Sequence, residues 1–476
     1  MSIDPNRFYL LYPPITKQER YSSEIGNAGG DQIPLGIYYL ASYLRLNHIE
    51  IKVRDAEANK LSSQEIISEI NSFSPKFVGI SSTTVAFHRA VEIAKEIKKH
   101  FNDVIIILGG PHVTANPNHA MSFAEFDFGV LHEGEYTLIE LIKTINENGD
   151  LKNVKGITYR EQTNISINPL RAYIENLDQL PFPAFDLIDN INLYTPPPSN
   201  YKTLPVVNMI TSRGCPSQCT FCDNNIFGRK YRQRSAENIV EEIKLLRKNY
   251  NIREIAFVDD TFLIDKKRIY KLFELLDKEN ISFYWTCMSR INNTDYEFLN
   301  FIKSKGCWHI SFGIESGDEN ILKLIKKNIS LDKAKEVINW CKKLKIKTKG
   351  FFIIGHPTET IETIDKTIKL ACRLNLDDIV VTINTPIPGS QQYTEAELYG
   401  SIDKTNWAEF NYWRPVFVPK GLTKEILLSK HKEIYRKFYL RPRILLRYFF
   451  SFFGKGGFKR FKTVFKASFF ILKNKK

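Results

Sequence analysis

Residues 211–224 read TSRGCPSQCTFCDN and place three of the chain's seven cysteines within eight residues. The three are Cys215, Cys219 and Cys222. The preceding 214 residues contain none. An apolar run at 206–212 comes immediately before them, and Gly214 is typical of a sharp turn at the end of a strand. The sequence therefore predicts a strand that ends in a cysteine-rich loop.

Three clustered thiols restrict what the loop can hold. A disulfide framework is disfavoured, because the cysteines are few and odd in number in a long chain. A closed zinc site normally has four protein ligands, and the next cysteine and histidine along the chain are the distant Cys287 and His309. An iron–sulfur cluster bound by three thiolates instead of four leaves one iron open to another ligand. We therefore expect a 4Fe–4S cluster here, with zinc as the alternative.

Beyond this loop, apolar runs alternate with helical patterns through the second half of the chain. The runs cover residues 206–212, 254–260, 282–289, 307–316, 347–355 and 378–385. Such alternation is typical of a parallel sheet with helical crossovers, so we expect a partial (β/α)6 barrel. Chemistry on such barrels lies at the carboxyl ends of the strands. The residues at those ends include Asp259, Asp260, Arg290, Glu315 and Gly355.

The first 148 residues show an earlier alternation of the same kind. Its apolar runs cover residues 7–14, 50–56, 77–83, 104–110 and 128–135. Continuous apolar strands indicate a parallel sheet covered on both faces, so we expect an α/β, doubly wound, Rossmann-like domain with a ligand at the carboxyl ends of its strands. The turns at those ends contain Ser81, Ser82, Thr83, Gly109, Gly110, Glu133 and Gly134.

These patterns divide the chain into four regions. We expect the doubly wound domain at 1–148, a hairpin and proline-rich linker at 149–204, the barrel at 205–398 and a helical region at 399–476. The start MSIDPNRFYLLYPP lacks the features of a secretory signal, and we find no apolar run of about 18 residues that would span a membrane. We therefore expect a cytoplasmic protein.

The formal net charge of +14 comes entirely from the end of the chain. Residues 421–476 contain sixteen bases, two acids and thirteen aromatic residues, whereas the charges of the first 420 residues balance. Four aromatic residues at helical spacing are Phe458, Phe461, Phe465 and Phe469. Basic aromatic helices bind anionic lipid surfaces. We therefore expect a helical tail in peripheral contact with the inner face of a membrane. A core-facing helix and, as third choice, nucleic acid are the alternatives.

The loop RGCPSQCTFCDN resembles the cluster loop of the radical S-adenosylmethionine (SAM) superfamily. The resemblance covers about residues 206–395 and includes the segments FVDD, FGIES, GFFIIGHPTE and PIPGS. It implies that the three cysteines ligate a 4Fe–4S cluster whose open iron binds SAM, and that SAM cleavage yields a 5′-deoxyadenosyl radical. The cofactor-binding positions that it implies in this domain are Phe221, Asp259, Glu315 and Gly355.

The first domain resembles the cobalamin-binding domain that precedes the radical SAM domain in one large subclass. That subclass shares the linker LPFPAFD and the segment FYLRP at 438–442. Within it, the chain resembles the branch of the anaerobic magnesium-protoporphyrin IX monomethyl ester cyclase and the class B radical SAM methylases. The resemblance implies that the turns at 81–83 and 109–110 hold the nucleotide tail of cobalamin, and that Glu133 and Gly134 lie near the corrin.

One departure concerns the cobalt ligand. Many cobalamin domains carry Asp-x-His-x-x-Gly, whose histidine ligates cobalt, but Asp55 in RDAEANK has no such histidine after it. We therefore expect cobalt without that ligand. His112 and His132 are the nearest histidines to the turns at the strand ends, and we expect supporting or surface roles for them.

Taken as implied by the resemblance, the function is that of a cobalamin-dependent radical SAM enzyme. It would methylate or oxidatively cyclise an unactivated carbon of a small molecule, and the tail favours a hydrophobic, lipid-like substrate. An electron donor such as flavodoxin or ferredoxin is the implied protein partner. The alternatives are a radical SAM enzyme without functional cobalamin and a non-catalytic iron–sulfur sensor.

Overall fold

The computed structural model describes residues 3–21, 29–197 and 199–446. Two parallel sheets, each with helical crossovers, account for most of these residues. Among the helices in the described ranges, none combines the length and the apolar character needed to cross a bilayer. The aromatic run that we expect to form a helix at 458–469 lies outside the described residues.

The first sheet is built from seven strands. They are β1 (Asp4–Tyr12), β2 (Glu50–Asp55), β3 (Pro75–Ser81), β4 (Ile105–Gly109), β5 (Phe128–Val130), β6 (Ile157–Glu161) and β7 (Asn164–Ile167). Their order in the sheet is β2-β1-β3-β4-β5-β6-β7, and the first five are parallel. The order 2-1-3-4-5 is that of the flavodoxin-like doubly wound fold, whose ligand lies where the strand order reverses between β1 and β3.

Seven helices accompany this sheet. They are α1 (Lys17–Tyr21), α2 (Leu35–Leu46), α3 (Ser63–Phe73), α4 (Phe87–His100), α5 (Pro111–Ala115), α6 (Pro117–Met121) and α7 (Glu135–Asn146). Side chains of β1 alternate between two cores: Phe8 and Leu10 join one, and Tyr9 and Leu11 join the other. Both faces of the sheet are therefore buried, as the continuous apolar runs predict.

The expected hairpin is present, but it belongs to the first sheet. Strand β6 pairs antiparallel with β5, and β7 pairs antiparallel with β6. Its hydrogen bonds therefore place the hairpin with the doubly wound sheet, although its sequence pattern sets it apart from the parallel strands. In the segment that follows, up to the start of the second sheet, the described residues form only short 3-10 turns.

The second sheet contains six parallel strands in the order β15-β14-β13-β12-β11-β8. Their bounds are β8 (Val206–Met209), β11 (Glu254–Phe257), β12 (Tyr284–Ser289), β13 (Cys307–Glu315), β14 (Lys347–Ile354) and β15 (Asp378–Ile383). A two-stranded ribbon, β9 (Ser212–Arg213) and β10 (Arg232–Gln233), brackets the cysteine loop. The helices are α8 (Ala236–Tyr250), α9 (Lys266–Lys278), α10 (Tyr296–Ser304), α11 (Glu319–Leu324), α12 (Leu331–Lys343) and α13 (Ile361–Arg373). All six predicted strands are present, and the sheet ends at β15 and β8, so the barrel is partial.

Local sequence explains where several of these helices begin. The side chain of Ser62 accepts from the backbone N–H of Glu65, whose carboxylate accepts in return from Ser62, which forms a capping box. The hydroxyl of Ser235 accepts from a backbone N–H in the first turn of α8, and that of Thr360 does so in the first turn of α13. These residues satisfy backbone donors that the first turn of a helix leaves unpaired.

The carboxyl-terminal region covers one edge of the barrel. Its elements are α14 (Gln391–Tyr399), β16 (Gly400–Ile402), β17 (Phe417–Pro419) and α15 (Lys424–Tyr439). On α15, the Tyr435 hydroxyl and His431 Nε2 bond the backbone N–H and C=O of Val381 on edge strand β15, over 2.9 and 2.8 Å. The first part of the basic tail is thus a core-facing helix that satisfies an exposed sheet edge.

The two sheets share a core. Apolar side chains from one face of the first sheet and from the barrel form a single buried cluster. The side chain of Asn208 on β8 bonds the backbone N–H and C=O of Ile33 over 3.0 and 2.9 Å, so it ties the segment before α2 to the barrel. The carboxyl ends of both sheets consequently face a common space.

Candidate active site

The cysteine loop is fixed by backbone contacts at both ends. Gly214 has φ +88°, and a Cβ there would lie 2.2 Å from the carbonyl oxygen of Lys230, so only glycine fits. The N–H of Cys215 donates to Gly228 C=O over 3.2 Å, and that of Thr220 donates to Ile325 C=O over 3.1 Å. The loop is therefore held between the β9–β10 ribbon and the segment after α11.

Asp259 anchors the start of this loop. Its Oδ1 accepts from the backbone N–H and the hydroxyl of Thr211 over 3.0 and 2.8 Å, and also from the Ser212 hydroxyl. Asp259 is buried, and its neighbour Asp260 lines the central cavity. Of the two aspartates that end FVDD, Asp259 therefore contacts the protein and Asp260 faces the space where a cofactor would lie.

The three thiols are free and lie in different environments. Cys219 is buried, Cys215 is partly buried, and Cys222 opens into the central cavity. The Cys222 thiol is exposed to the cavity, yet desolvation by the surrounding walls, the carboxylate of Asp260 and the two other thiols raise its pKa above the ordinary value. A thiolate there needs a compensating cation, which iron would supply. The guanidinium of Arg290 donates to the sulfur of Cys219 over 3.4 Å.

Zinc, the alternative metal, requires protein ligands that converge more closely. Within the described ranges, no three His, Cys, Asp or Glu side chains converge closely enough for one metal ion. Such convergence is what a closed zinc site demands, whereas a cluster takes each thiolate on a different iron. The three free thiols of the loop could each ligate one iron of a cluster.

A second group of polar side chains lies beside the cysteine loop, at the ends of β14 and β15. The ring of Phe221 is 5.8 Å from that of His356. The backbone N–H groups of Gly355 and His356 both donate to one oxygen of Glu359. Gln392 bonds Thr220 through both its backbone N–H and its side chain. The loop and the IGHPTE segment are thus neighbours.

Several buried polar atoms of this group have no hydrogen-bond partner within the described structure. They are both ring nitrogens of His356, Oε1 of Glu359, Nδ2 of Asn384 and Oε1 of Gln392. Burial lowers the pKa of His356 to about 3 and raises that of Glu359 to about 8, so both are neutral near pH 7. Unpaired buried donors and acceptors are costly. They fit a polar ligand such as SAM, whose adenine, ribose and amino acid groups can pair with them.

Glu315 lies at the end of β13 in a strained conformation. Its φ is +69°, a region that non-glycine residues rarely adopt. Its carboxylate accepts from Lys327 Nζ over 2.7 Å, and both side chains are buried. The backbone C=O of Lys327 also accepts from Arg290. Glu315 is thus linked to Cys219 of the cluster loop through two residues, Lys327 and Arg290.

A cavity of about 400 Å³ lies between the two sheets. This volume is in the usual range of small-molecule sites. Its walls come from the strand ends of the first sheet and from the segment that follows the cluster loop, together with Arg213 and Asp260. The main lining residues are Ser81, Gly109, Gly110, Gly134, Cys222 and Phe227. The first domain's ligand site and the cluster loop therefore share one cavity.

The glycines of this cavity test whether cobalamin fits. At Gly36 and Gly109, an added Cβ would meet no atom within 4 Å, so a side chain there would project into open space that a ligand could fill closely. Gly110 differs: its φ is +96°, and a Cβ would lie 2.8 Å from the C=O of Ser82. The turns at Ser82 and Gly110 come so close together that position 110 needs a glycine, whether or not a ligand is bound. The residues present fit a large, closely held ligand.

The remaining first-domain residues take more varied positions. Ser81 lines the cavity, whereas Ser82 is buried beneath it and donates from its backbone to Gly109. Thr83 is not among the lining residues. Glu133 does reach the cavity, yet both its oxygens are engaged by arginines. Its contacts in the structure are therefore with the protein.

Asp55, His112 and His132 each bond other side chains of the protein. Asp55 Oδ2 accepts from the Tyr194 hydroxyl over 3.0 Å. His112 is buried and bonds Thr84 and His119 through its two ring nitrogens. His132 lines the cavity, and its Nδ1 bonds the Tyr173 hydroxyl over 2.8 Å.

Sequence reasoning missed several residues of the site. They are Gly36, Arg213, Arg232, Lys327, His132 as a cavity residue, and the unpaired groups of Asn384 and Gln392. The NTPIPGS segment pointed towards Asn384, and Arg213 is two residues from Cys215. Nothing in the sequence pattern pointed to Gly36, because it lies within a helix that reads as an ordinary crossover.

Comparison with known proteins agrees with this geometry. Residues 209–371 match the model of the radical SAM superfamily, and residues 24–142 match that of the B12 binding domain. An uncharacterized methyltransferase of Pyrococcus horikoshii is 34% identical over 452 residues, which cover 94% of this chain and 95% of that protein. The chain therefore belongs to the radical SAM superfamily.

Two further proteins resemble the chain, one in sequence and one in fold. The anaerobic magnesium-protoporphyrin IX monomethyl ester cyclase of Rubrivivax gelatinosus is 28% identical over 89% of this chain and 77% of that protein. The radical SAM methyltransferase TsrM of Kitasatospora setae, solved with cobalamin and a 4Fe–4S cluster, shares the fold: the TM-score is 0.70 at 15% identity, over 92% and 89% of the chains. The chain is a cobalamin-dependent radical SAM enzyme, and its cofactors are a 4Fe–4S cluster, SAM and cobalamin.

Proposed function

We propose that this enzyme transfers a methyl group to an unactivated carbon of a small molecule. The observation that carries the proposal is that Cys222, Gly109 and Gly110 line one cavity. A methyl donor held by the first domain and a radical generated at the cysteine loop would then act on the same substrate. The similarity to the methyltransferase of P. horikoshii supports this outcome.

The chain's own residues have distinct tasks in this proposal. Cys215, Cys219 and Cys222 would hold the cluster, and Asp259 fixes the loop that carries them. When bound, the three cofactors supply one-electron cleavage of SAM and a transferable methyl group. The neutral groups of the second polar cluster would orient SAM through hydrogen bonds, and Glu315 is positioned by Lys327 at the same strand ends.

The first domain would orient cobalamin by shape more than by charge. The open faces of Gly36 and Gly109 admit close backbone approach, and Ser81 offers a hydroxyl at the end of β3. The cavity walls also carry apolar side chains, including Leu40, Ile226 and Phe227. Walls of this kind exclude water around a reactive radical and support a hydrophobic substrate.

Oxidative cyclisation is the second candidate. The similarity to the cyclase of R. gelatinosus over 89% of this chain favours it. In that case cobalamin would assist oxidation without donating a methyl group. For both candidates we propose a reduced flavodoxin or ferredoxin as electron donor, a cytoplasmic location, and a peripheral membrane contact through the basic tail.

The test uses anaerobically reconstituted full-length protein with methyl-labelled SAM, dithionite and cobalamin. Production of 5′-deoxyadenosine together with S-adenosylhomocysteine is the expected result, because methyl transfer to cobalamin consumes a second SAM. Formation of 5′-deoxyadenosine without S-adenosylhomocysteine would favour cyclisation. Absence of 5′-deoxyadenosine from protein with a full cluster would contradict the radical proposal and favour an iron–sulfur sensor.

A further inference from the structure

Four buried charges join the cobalamin-binding domain to the start of the cluster loop. Arg213 donates from its two terminal nitrogens to Glu133 over 2.7 Å and to Glu135 over 2.6 Å. Arg232 donates to Glu133 over 2.9 Å. The exposed fraction of each of the four side chains is 6% or less. These four residues are referred to as the interdomain charge cluster.

The interdomain charge cluster links the elements that carry the two cofactor sites. Glu133 lies in the turn between β5 and α7, and Glu135 is the first residue of α7; both line the cavity. Arg213 ends β9, two residues before Cys215, and Arg232 lies on the partner strand β10. Any shift of the first domain against the cysteine loop would therefore break a charged contact.

Most polar atoms of the interdomain charge cluster form hydrogen bonds within the protein. Glu133 Oε1 accepts from Arg213 and Arg232, and its Oε2 accepts from Arg232 and from the backbone N–H of Ile174 over 2.8 Å. The guanidinium of Arg213 also lies 5.4 and 5.2 Å from the rings of Tyr39 and Phe227. Most of these polar atoms are therefore paired within the protein, and Arg232 Nε is a buried exception that has no partner within the described structure.

A second contact runs parallel to the first. His132 has φ +62° and bonds the Tyr173 hydroxyl through Nδ1, and that hydroxyl donates to the C=O of Asn225 over 2.9 Å. Asn225 follows the last cysteine by three residues. The turn at 131–135 is therefore linked to the cluster loop directly by Arg213 on its amino-terminal side, and through Tyr173 on its carboxyl-terminal side.

Burying four charges costs more desolvation free energy than packing apolar residues in the same place, so a gain in stability alone does not explain the interdomain charge cluster. Charged groups of this kind fix a register, because only one arrangement pairs all of them. We infer that Arg213, with Glu133 and Glu135, is a positioning residue that sets the separation between the cobalamin site and the iron–sulfur cluster. The inference rests on the proposed function only in requiring both cofactors at these sites.

The test is the separation itself, measured by electron paramagnetic resonance. Full-length protein is reconstituted with iron and sulfide, loaded with hydroxocobalamin and reduced with dithionite. In the wild type, the reduced cluster speeds the spin relaxation of cob(II)alamin to an extent set by their distance. Arg213→Gln is expected to change this enhancement at least twofold or to spread it over several values, at unchanged iron and cobalamin content. Unchanged enhancement overturns the inference.

The matched control removes a buried pair elsewhere. Lys349 and Asp378 form such a pair at the opposite, amino-terminal ends of β14 and β15. Lys349→Gln should destabilise the chain but leave the relaxation enhancement as in the wild type. Arg213→Lys, which keeps the charge but not the two-pronged contact, should give an intermediate value. An effect of Lys349→Gln equal to that of Arg213→Gln would also overturn the inference.

A measurement on cofactor-free protein covers variants that fail to load. Hydrogen exchange at 131–135 and 212–217 should accelerate tenfold or more in Arg213→Gln, with the strands of both sheets unchanged. Exchange that stays the same, or that accelerates throughout the chain, would contradict a local positioning role. Since this readout needs no cofactor, its failure is separate from failure of the proposed function.

Discussion

Arg290 donates a hydrogen bond from its guanidinium to the sulfur of Cys219 over 3.4 Å. A positive donor at a cluster thiolate stabilises the additional negative charge of the reduced cluster. Arg290→Gln should therefore lower the reduction potential of the reconstituted cluster. Redox titration followed by electron paramagnetic resonance, without SAM, measures this shift.

Arg290 also bonds the backbone C=O of Lys327, so the variant needs a control for loosening that segment. Asn292 provides it, since its side chain bonds the C=O of Asn328 over 2.8 Å in the same segment. Asn292→Ala should leave the potential unchanged. An equal shift in both variants would show that segment position, and not the hydrogen bond to sulfur, sets the potential.

Alanine at Cys215, Cys219 and Cys222 should abolish the cluster, because each thiolate is expected to ligate a different iron. The wild type should hold about four irons per chain after anaerobic reconstitution, and the triple variant close to none. Iron analysis and visible absorbance measure this. Cys372→Ala is the control, since that thiol is half-buried and remote from the loop. Zinc as the only bound metal, or SAM cleavage by the triple variant, would contradict the assignment.

Two adjacent glycines should respond differently to substitution. Gly109→Leu places a side chain into open cavity space, so we expect hydroxocobalamin affinity to fall about tenfold or more, or about 1.4 kcal/mol, with the fold intact. Gly110→Ala meets the C=O of Ser82 at 2.8 Å and a positive φ, so we expect a loss of about 2 kcal/mol in unfolding free energy.

Titration with hydroxocobalamin and urea denaturation separate the two effects. In the wild type, the spectrum of bound cob(II)alamin should lack nitrogen coordination, because the segment after Asp55 has no histidine. Full affinity in Gly109→Leu would place cobalamin elsewhere. Nitrogen hyperfine splitting in the wild type would make His132 the first ligand to test.

The carboxyl group of Glu359 should make stability depend on pH. Burial raises its pKa to about 8, against an ordinary value of 4.5. Between these two values the folded chain keeps a proton that the unfolded chain has lost. The stability is therefore full below about pH 4.5 and falls as pH rises towards 8. Glu359→Gln removes this fall. The unfolding free energy of the variant should therefore rise relative to that of the wild type as the pH increases, by at most about 5 kcal/mol, and the difference should level off above pH 8.

Urea denaturation of cofactor-free protein from pH 5 to 8.5 measures that difference. Glu362→Gln is the control, since this exposed carboxylate lies only three residues further on, in the first turn of α13, and pairs with Lys366. It should show no such gain. A difference between Glu359→Gln and the wild type that is constant with pH would mean that Glu359 is ionised in the folded chain.

The end of the tail, residues 454–476, should bind membranes without supporting the fold. Deleting residues 454–476 removes eight bases and no acid, and we expect it to abolish sedimentation with anionic vesicles. Binding of the full chain should decrease as salt rises, because exposed charges are screened within about 10 Å at 0.1 M salt.

A chain truncated before Lys424 is the comparison for the deletion of residues 454–476. It removes α15, whose Leu427 and Phe438 are buried and whose Tyr435 bonds Val381, so we expect loss of fold. If the 454–476 deletion also unfolds the chain, the tail is part of the core. Tight binding to RNA and not to vesicles would favour the nucleic-acid alternative.

The sequence by itself determined the elements and the cluster chemistry. Apolar periodicity is a local property, so the six strands of the barrel and the five parallel strands of the first sheet could be predicted from it. The spacing of Cys215, Cys219 and Cys222 is also local. Three thiolates in one short loop restrict the metal whatever the rest of the chain does.

Only the tertiary structure decided which residues meet across the two sheets. Arg213 and Glu133 are 80 residues apart and meet across the two sheets, whereas Glu315 at the end of β13 pairs with Lys327 within the barrel. Likewise, the open face of Gly36 matters only because α2 lines the cavity. These contacts depend on how packed elements approach in space, which no periodicity within a single segment encodes. Asp259 shows the same limit, since its position after a strand predicts a site residue, whereas its contacts make it an anchor of the cluster loop.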